Sequence, residues 1–116
     1  MRLTTVYHWS PTVNRKSILQ EGLKILMSEL QYFNEVSGKE EKWIIPYICT
    51  SPEADTALTY VEPMFPEGLP EMDLYQVLLL DSDRIDLRND GTNRIIEVRV
   101  RNTIPADRVV YLATRE

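Results

Sequence analysis

Three runs of β-forming residues crowd the C-terminal part of the chain: MDLYQVLLLD (72–81), RIIEVRV (94–100) and RVVYLAT (108–114). No helical pattern separates them, so they cannot be the strands of alternating βαβ units. Two further strands are expected earlier, LTTVYHW (3–9) and WIIPYICT (43–50), the second demoted at Pro46 to an edge or a bend. One short helix is expected in NRKSILQEGL, capped by Asn14, with Ile18, Leu19 and Leu23 at helical spacing and Gly22 as a left-handed C-terminal cap. A second is expected to start at Ser51-Pro52-Glu53 and run to about Tyr60 or Val61. Ser51 would cap it, Pro52 would fit its first turn, and Glu53 and Asp55 would complement its dipole. Residues 24–42 read as mixed, with GKEEK a charged loop tip, and 82–93 read as a polar loop turning at Asp90-Gly91. Helices early and strands late predict an α+β fold on a mixed or antiparallel sheet.

The length, 116 residues, fits one domain over 1–116 with one modest core. At 43% hydrophobic residues the chain is too apolar for disorder. No run reaches the roughly 20 apolar residues of a membrane span. MRLTTVYHW lacks the apolar stretch of a signal peptide, so a cytoplasmic protein is expected. A net charge of −5 argues against a blanket electrostatic grip on nucleic acid. Cys49 and His8 are each the sole residue of their type, which removes disulfides and leaves no metal cage. No GxxxxGK[ST] or GxGxxG phosphate loop is present.

Three features can carry chemistry. His8, in YHWSP at the end of the first strand, can act as acid, base or hydrogen-bond donor, or be a half-buried ring satisfied by the backbone. In RIIEVRV, alternation puts Ile95, Glu97, Arg99 and Arg101 on one face and Ile96, Val98 and Val100 on the other. The first set is either a functional face or simply the wet one. Cys49-Thr50-Ser51 sits at a strand-to-helix junction where N–H groups and hydroxyls can meet an anion, although capping alone explains Ser51.

In order, these segments resemble the ADP-ribosyltransferase fold, in its diphtheria-toxin and poly(ADP-ribose) polymerase branch. The His strand and following helix of that branch match Tyr7-His8-Trp9 through Asn14, Ile18-Leu19 and Gly22-Leu23. Its tyrosine-bearing strand and helix match Ile48 to Tyr60 in length, with Tyr60 on the second motif tyrosine. Its glutamate strand and final strand match Glu97 to Leu112. Trp9 stands where the branch has glycine, and Cys49 where it has the first tyrosine. Cys49-Thr50-Ser51 also resembles the Ser-Thr-Ser segment of the cholera-toxin branch.

The resemblance implies a mixed or antiparallel split β-sheet with short helices and a toxin-like mono-ADP-ribosyltransferase. Such an enzyme cleaves the nicotinamide–ribose bond of NAD and transfers ADP-ribose to an acceptor. Glu97 would stabilise the cationic, oxocarbenium-like ribose. His8 would hydrogen-bond the adenosine-side ribose, Trp9 would offer its backbone N–H and C=O to the nicotinamide amide, and Tyr60 would stack on the ring. Cys49, Thr50 and Ser51 would line the cofactor site, and Arg15 or Lys16 would approach the pyrophosphate. A protein or small-molecule acceptor is expected over nucleic acid, read by the loop 82–93. Two alternatives stay open: a degenerate member that binds a nucleotide or a protein, and an RNA 2′-phosphotransferase using Arg15, Arg99 and Arg101. The Tyr32-Phe33 pair and the loop around Met64-Phe65 are expected either to pack locally or to form contact surfaces.

Overall fold

The computed structural model describes residues 5–25 and 28–115. In chain order these form β1 (Thr5–Pro11), α1 (Arg15–Glu21), β2 (Ser28–Asn34), β3 (Lys39–Ile45), β4 (Ile48–Thr50), α2 (Ala54–Val61), β5 (Met72–Leu78), β6 (Ile85–Asn89), β7 (Ile95–Val100) and β8 (Val109–Arg115). All strand pairs are antiparallel. The fold is therefore α+β, with two short helices on antiparallel sheets. Two three-stranded sheets, ordered β1-β5-β8 and β4-β7-β6, stand beside a separate β2–β3 hairpin. A bridge between Tyr7 and Ser51 joins the two sheets edge to edge. Among the described residues no helix is long and apolar enough to cross a membrane.

Val6, Tyr75, Val77, Val98, Val100 and Ile104, all fully buried, form a core shared by both sheets, with Ile18 of α1 packed into it. On the opposite face of β1, Trp9 and Met72 pack with Ala57 and Val61 of α2. Trp9 also donates its indole N–H to the Ala54 carbonyl at 2.7 Å, which pins the start of α2 to β1.

Five expectations need correction. Asn14 precedes α1 but its side chain does not cap the helix; its Nδ2 donates to the Ser10 Oγ at 3.2 Å instead. The stretch 24–42 contains a hairpin: Lys39–Lys42 of GKEEK is strand, and the tip is residues 35–38, with Gly38 at φ +70°. A charged run such as KEEK carries no period-2 signal, so the pairing is invisible in the sequence. The polar loop 82–93 contains β6, whose residues are mostly exposed and so have the composition of a loop. Residue Ser51 does not cap α2; it is bridged to Tyr7, its Oγ accepts the Glu53 N–H at 3.2 Å, and the helix begins at Ala54 behind an extended Glu53. Pro52 therefore precedes the first turn. Finally, Gly22 has positive φ (+83°) but an extended ψ of −166°, so the chain leaves α1 straight into a bridge between Leu23 and Ile104. A Cβ at Gly22 would fall 2.0 Å from the Ile104 carbonyl oxygen, so that approach requires glycine. The side chains of Tyr32 and Phe33 lie outside the described residues, while Phe65 packs beside the Trp9 cluster.

One buried carboxylate ties the ends of several elements together. Asp73 of β5 is fully buried. Its Oδ1 accepts from Thr12 (2.8 Å), Thr114 (2.7 Å) and Arg15 Nη2 (2.8 Å), and its Oδ2 accepts from Arg15 Nε (2.7 Å) and the Tyr75 hydroxyl (3.3 Å). The Arg15 guanidinium, also 4.5 Å from the Tyr111 ring centroid, holds the carboxyl well below the usual range. Folded below unfolded means stabilisation that is complete above about pH 4 and lost as the pH falls from there. Asp73→Asn is expected to destabilise the protein by about 2–3 kcal/mol. That is less than the ~3–5 kcal/mol of a fully buried pair, because Arg15 keeps solvent access. Urea denaturation at pH 7 and pH 3 checks this, since the difference between wild type and variant should shrink at the lower pH.

Candidate functional site

The two sheets part company immediately after the Tyr7–Ser51 bridge. Tyr7 and Ser51 exchange both backbone hydrogen bonds, at 2.8 and 3.1 Å. Continuing that register would pair Trp9 with Cys49. Instead the His8 ring intervenes, its Nδ1–H donating to the Cys49 carbonyl at 2.8 Å. In an antiparallel strand, successive residues direct their N–H and C=O to opposite edges. Tyr7 faces β4, so Trp9 faces the same edge, away from β5. No described backbone group pairs with the N–H and C=O of Trp9, which open into the split.

Two neighbouring cavities occupy this region. The first, about 240 Å³, is lined by His8, Trp9, Asn14, Lys24 and Phe65 among others. The second, about 350 Å³, is lined by Tyr60, Arg88, Ile96, Glu97 and Arg99 among others. Tyr47, Cys49 and Met64 belong to both walls. His8 and Glu97 thus line adjoining spaces that share these three residues as walls.

Glu97 is 3% exposed, so the wet-face reading of its strand fails at this residue. Arg99 Nε donates to its Oε1 at 2.9 Å, and Arg88 Nε lies 4.0 Å from the same atom. The Arg99 guanidinium in turn stacks 4.5 Å from the Tyr47 ring centroid. A bulge sets up this face. Arg88 pairs with Glu97 but Asn89 with Ile95, so Ile96 is the extra residue. Ile95 consequently packs on the core while Ile96 joins the cavity beside Glu97, the reverse of simple alternation for these two isoleucines.

Several groups have shifted titration. Burial lowers the His8 pKa, with the Cys49 carbonyl hydrogen bond opposing it. With Nδ1–H committed, the neutral ring offers Nε2 as an acceptor. Burial pushes the Cys49 thiol up to about 12, helped by the charge of Glu97 and opposed by Arg99. Such a thiol is a wall, not a nucleophile. Burial and the Glu97 charge also raise the Tyr60 hydroxyl.

The structure brings His8, Trp9, Cys49, Tyr60 and Glu97 to this pair of cavities. Arg15, Thr50 and Ser51 are placed elsewhere. The Arg15 guanidinium is spent on Asp73, the Thr50 hydroxyl donates to the Val98 carbonyl at 2.7 Å, and Ser51 is fully buried in the bridge. The basic groups lining the cavities are Lys24, Arg88 and Arg99. Tyr47, Lys24 and Arg88 were not singled out from the sequence, and Met64 only within a loop expected to pack locally or form a contact surface. The alternation of Ile85 and Leu87 with Asp86 and Arg88 was the one signal that Arg88 lies on a strand.

Two measurements check this geometry. Titration of His8 followed by NMR is expected to give a midpoint below 6.5, its imidazole neutral at pH 7. At pH 7.5 a disulfide reagent is expected to react with native Cys49 about thirtyfold more slowly than with the unfolded chain. The thiolate fraction drops by about a thousandfold, and higher intrinsic nucleophilicity returns about thirtyfold of that.

No protein-family model matches the chain, and no curated protein matches its sequence, so the functional reading rests on these residues themselves.

Proposed function

We propose that the chain is a small mono-ADP-ribosyltransferase-like enzyme that binds NAD across the split between β1 and β4 and transfers ADP-ribose to an acceptor. The observation that carries the reading is the pairing of an open Trp9 peptide edge with a buried glutamate one cavity away. A primary carboxamide needs one donor and one acceptor side by side, which the Trp9 C=O and N–H supply. The indole creates no obstacle, because it is turned into the α2 packing.

Glu97 supports the chemistry. Departure of nicotinamide leaves positive charge on the ribose, and a carboxylate fixed beforehand in a cavity stabilises that charge without reorganising. The Arg99 contact fixes it: Nε holds Oε1 and leaves Oε2 for a ribose hydroxyl. The Tyr60 ring lines the same cavity, where stacking on an aromatic cation contributes about 0.5–1.5 kcal/mol beyond burial. Met64 and Cys49 supply apolar walls in place of a second aromatic clamp. His8, neutral and with Nε2 available, acts as a hydrogen-bond acceptor that positions the adenosine-side ribose. In the first cavity, Lys24, whose ion pair with Glu21 at 3.4 Å is exposed on both sides, is the cation nearest the pyrophosphate.

Incubation with labelled NAD and a cell lysate tests the reading. Wild-type protein is expected to transfer label, and Glu97→Gln is expected to lower the rate by about 10²–10³-fold while still binding NAD. Equal transfer by both proteins would remove Glu97 from its role. NAD binding without turnover would identify a degenerate nucleotide binder, and release of a 2′-phosphate from RNA would identify a phosphotransferase.

A further inference from the structure

Pairing of the arginines singles out one wall of the second cavity. Arg15, Arg94, Arg101 and Arg108 each hold a carboxylate of their own, respectively Asp73, Glu53, Asp86 and Asp83, while Arg84 donates to the Arg101 carbonyl at 3.2 Å and Arg115 lines a separate cavity. Arg88 and Arg99 share one, Glu97. This leaves a surplus positive charge at the cavity in a chain whose net charge is −5. The surplus belongs to Arg88. Arg99 is bonded to Glu97 and stacked on Tyr47, whereas Arg88 sits 4.0 Å from the carboxylate, beyond hydrogen-bond reach. No described acceptor lies within hydrogen-bond distance of the Arg88 side chain, which is 56% exposed.

We propose that Arg88, with the Tyr60 hydroxyl beside it in the same cavity, forms a subsite for an oxyanion, a phosphate or carboxylate group, of a bound ligand. The guanidinium fork suits such a group, because two parallel N–H donors match two oxygens of one oxyanion. Glu97 does not repel it outright, since Arg99 compensates that charge at 2.9 Å. The Tyr60 hydroxyl feels Arg88 and Arg99 as well as Glu97, which places it in the same electrostatic environment. Access is open, because β6 is the outer strand of its sheet and Arg88 stands at the rim. The subsite stands on this geometry alone. Assigning it to the acceptor rests on the transferase reading, in which the adenosine side of NAD lies on the His8 side, the nicotinamide reaches the Tyr60 ring, and Glu97 lies between donor and acceptor. An anionic acceptor group would then lie next to the carbon that is transferred.

The test titrates the protein, without NAD, with inorganic phosphate and in a second arm with acetate, following backbone amide shifts by NMR at constant ionic strength. Saturable binding that shifts Arg88 and Tyr60 is expected. Arg88→Gln is expected to weaken it about tenfold or more, and Arg88→Lys to restore part of it. Arg94→Gln, whose guanidinium is paired with Glu53, should leave it unchanged. Tighter phosphate than acetate assigns a phosphate-bearing ligand; the reverse order assigns a carboxylate. No saturable binding of either anion, or binding undiminished in Arg88→Gln, overturns the subsite. Because NAD is absent from this experiment, such a result leaves the transferase reading standing, and failure of NAD turnover leaves the subsite standing.

Discussion

The layout of the candidate site depends on the two hydrogen bonds between Tyr7 and Ser51. They fasten two three-stranded sheets into one body, and they are the last backbone contacts before β1 and β4 diverge. A fully zipped six-stranded sheet would bury the Trp9 and Cys49 peptide edges in one another. The side chain of His8 prevents this by taking the Cys49 carbonyl for itself. The opening is thus stabilised by a specific substitute bond, and the Trp9 N–H and C=O face the split.

The asymmetry between the two sides of the split also has a physical basis. On one side lie a neutral histidine, a peptide edge, Lys24 and apolar side chains; on the other lie a glutamate held by Arg99, the nearby Arg88 and an aromatic ring. Cys49 stands between them, held protonated by its burial and adjacent to Glu97. Its neutrality keeps another charge away from a site that already contains three. The tryptophan at position 9 serves the packing against α2, where its bulk and indole N–H anchor the helix, so its side chain serves one face of the sheet and its backbone the open edge.

Much of this was legible in the sequence. The α+β class followed from strand runs without intervening helices, and Glu97 and His8 were marked by residue type and position in their strands. What escaped was whatever depends on long-range partners. Arg15 resembles a free cation at the start of a helix until Asp73, 58 residues away, claims it. Nothing local distinguishes a buried aspartate in MDLYQVLLLD from a solvated one. The strand β6 escaped because four of its five residues are exposed, so its composition is that of a loop. Ser51 and Pro52 read as a helix start by local chemistry, but the demand for a bridge to Tyr7 outweighed the cap. Ile95 and Ile96 show the limit of periodicity: one extra residue reverses which of them is inside.

That extra residue has a consequence for how freely the neighbouring loop can vary. Val98 and Val100, clamped in the core, fix the register of β7 from Glu97 onward. The bulge at Ile96 lies upstream of this clamp and absorbs any mismatch arriving from the exposed segment 90–94. Insertions or deletions there would alter the rim around Arg88 without rotating the glutamate out of its cavity. The scaffold therefore uncouples loop length from carboxylate placement, and the rim around Arg88 can be remodelled while the Glu97 side chain stays where it is.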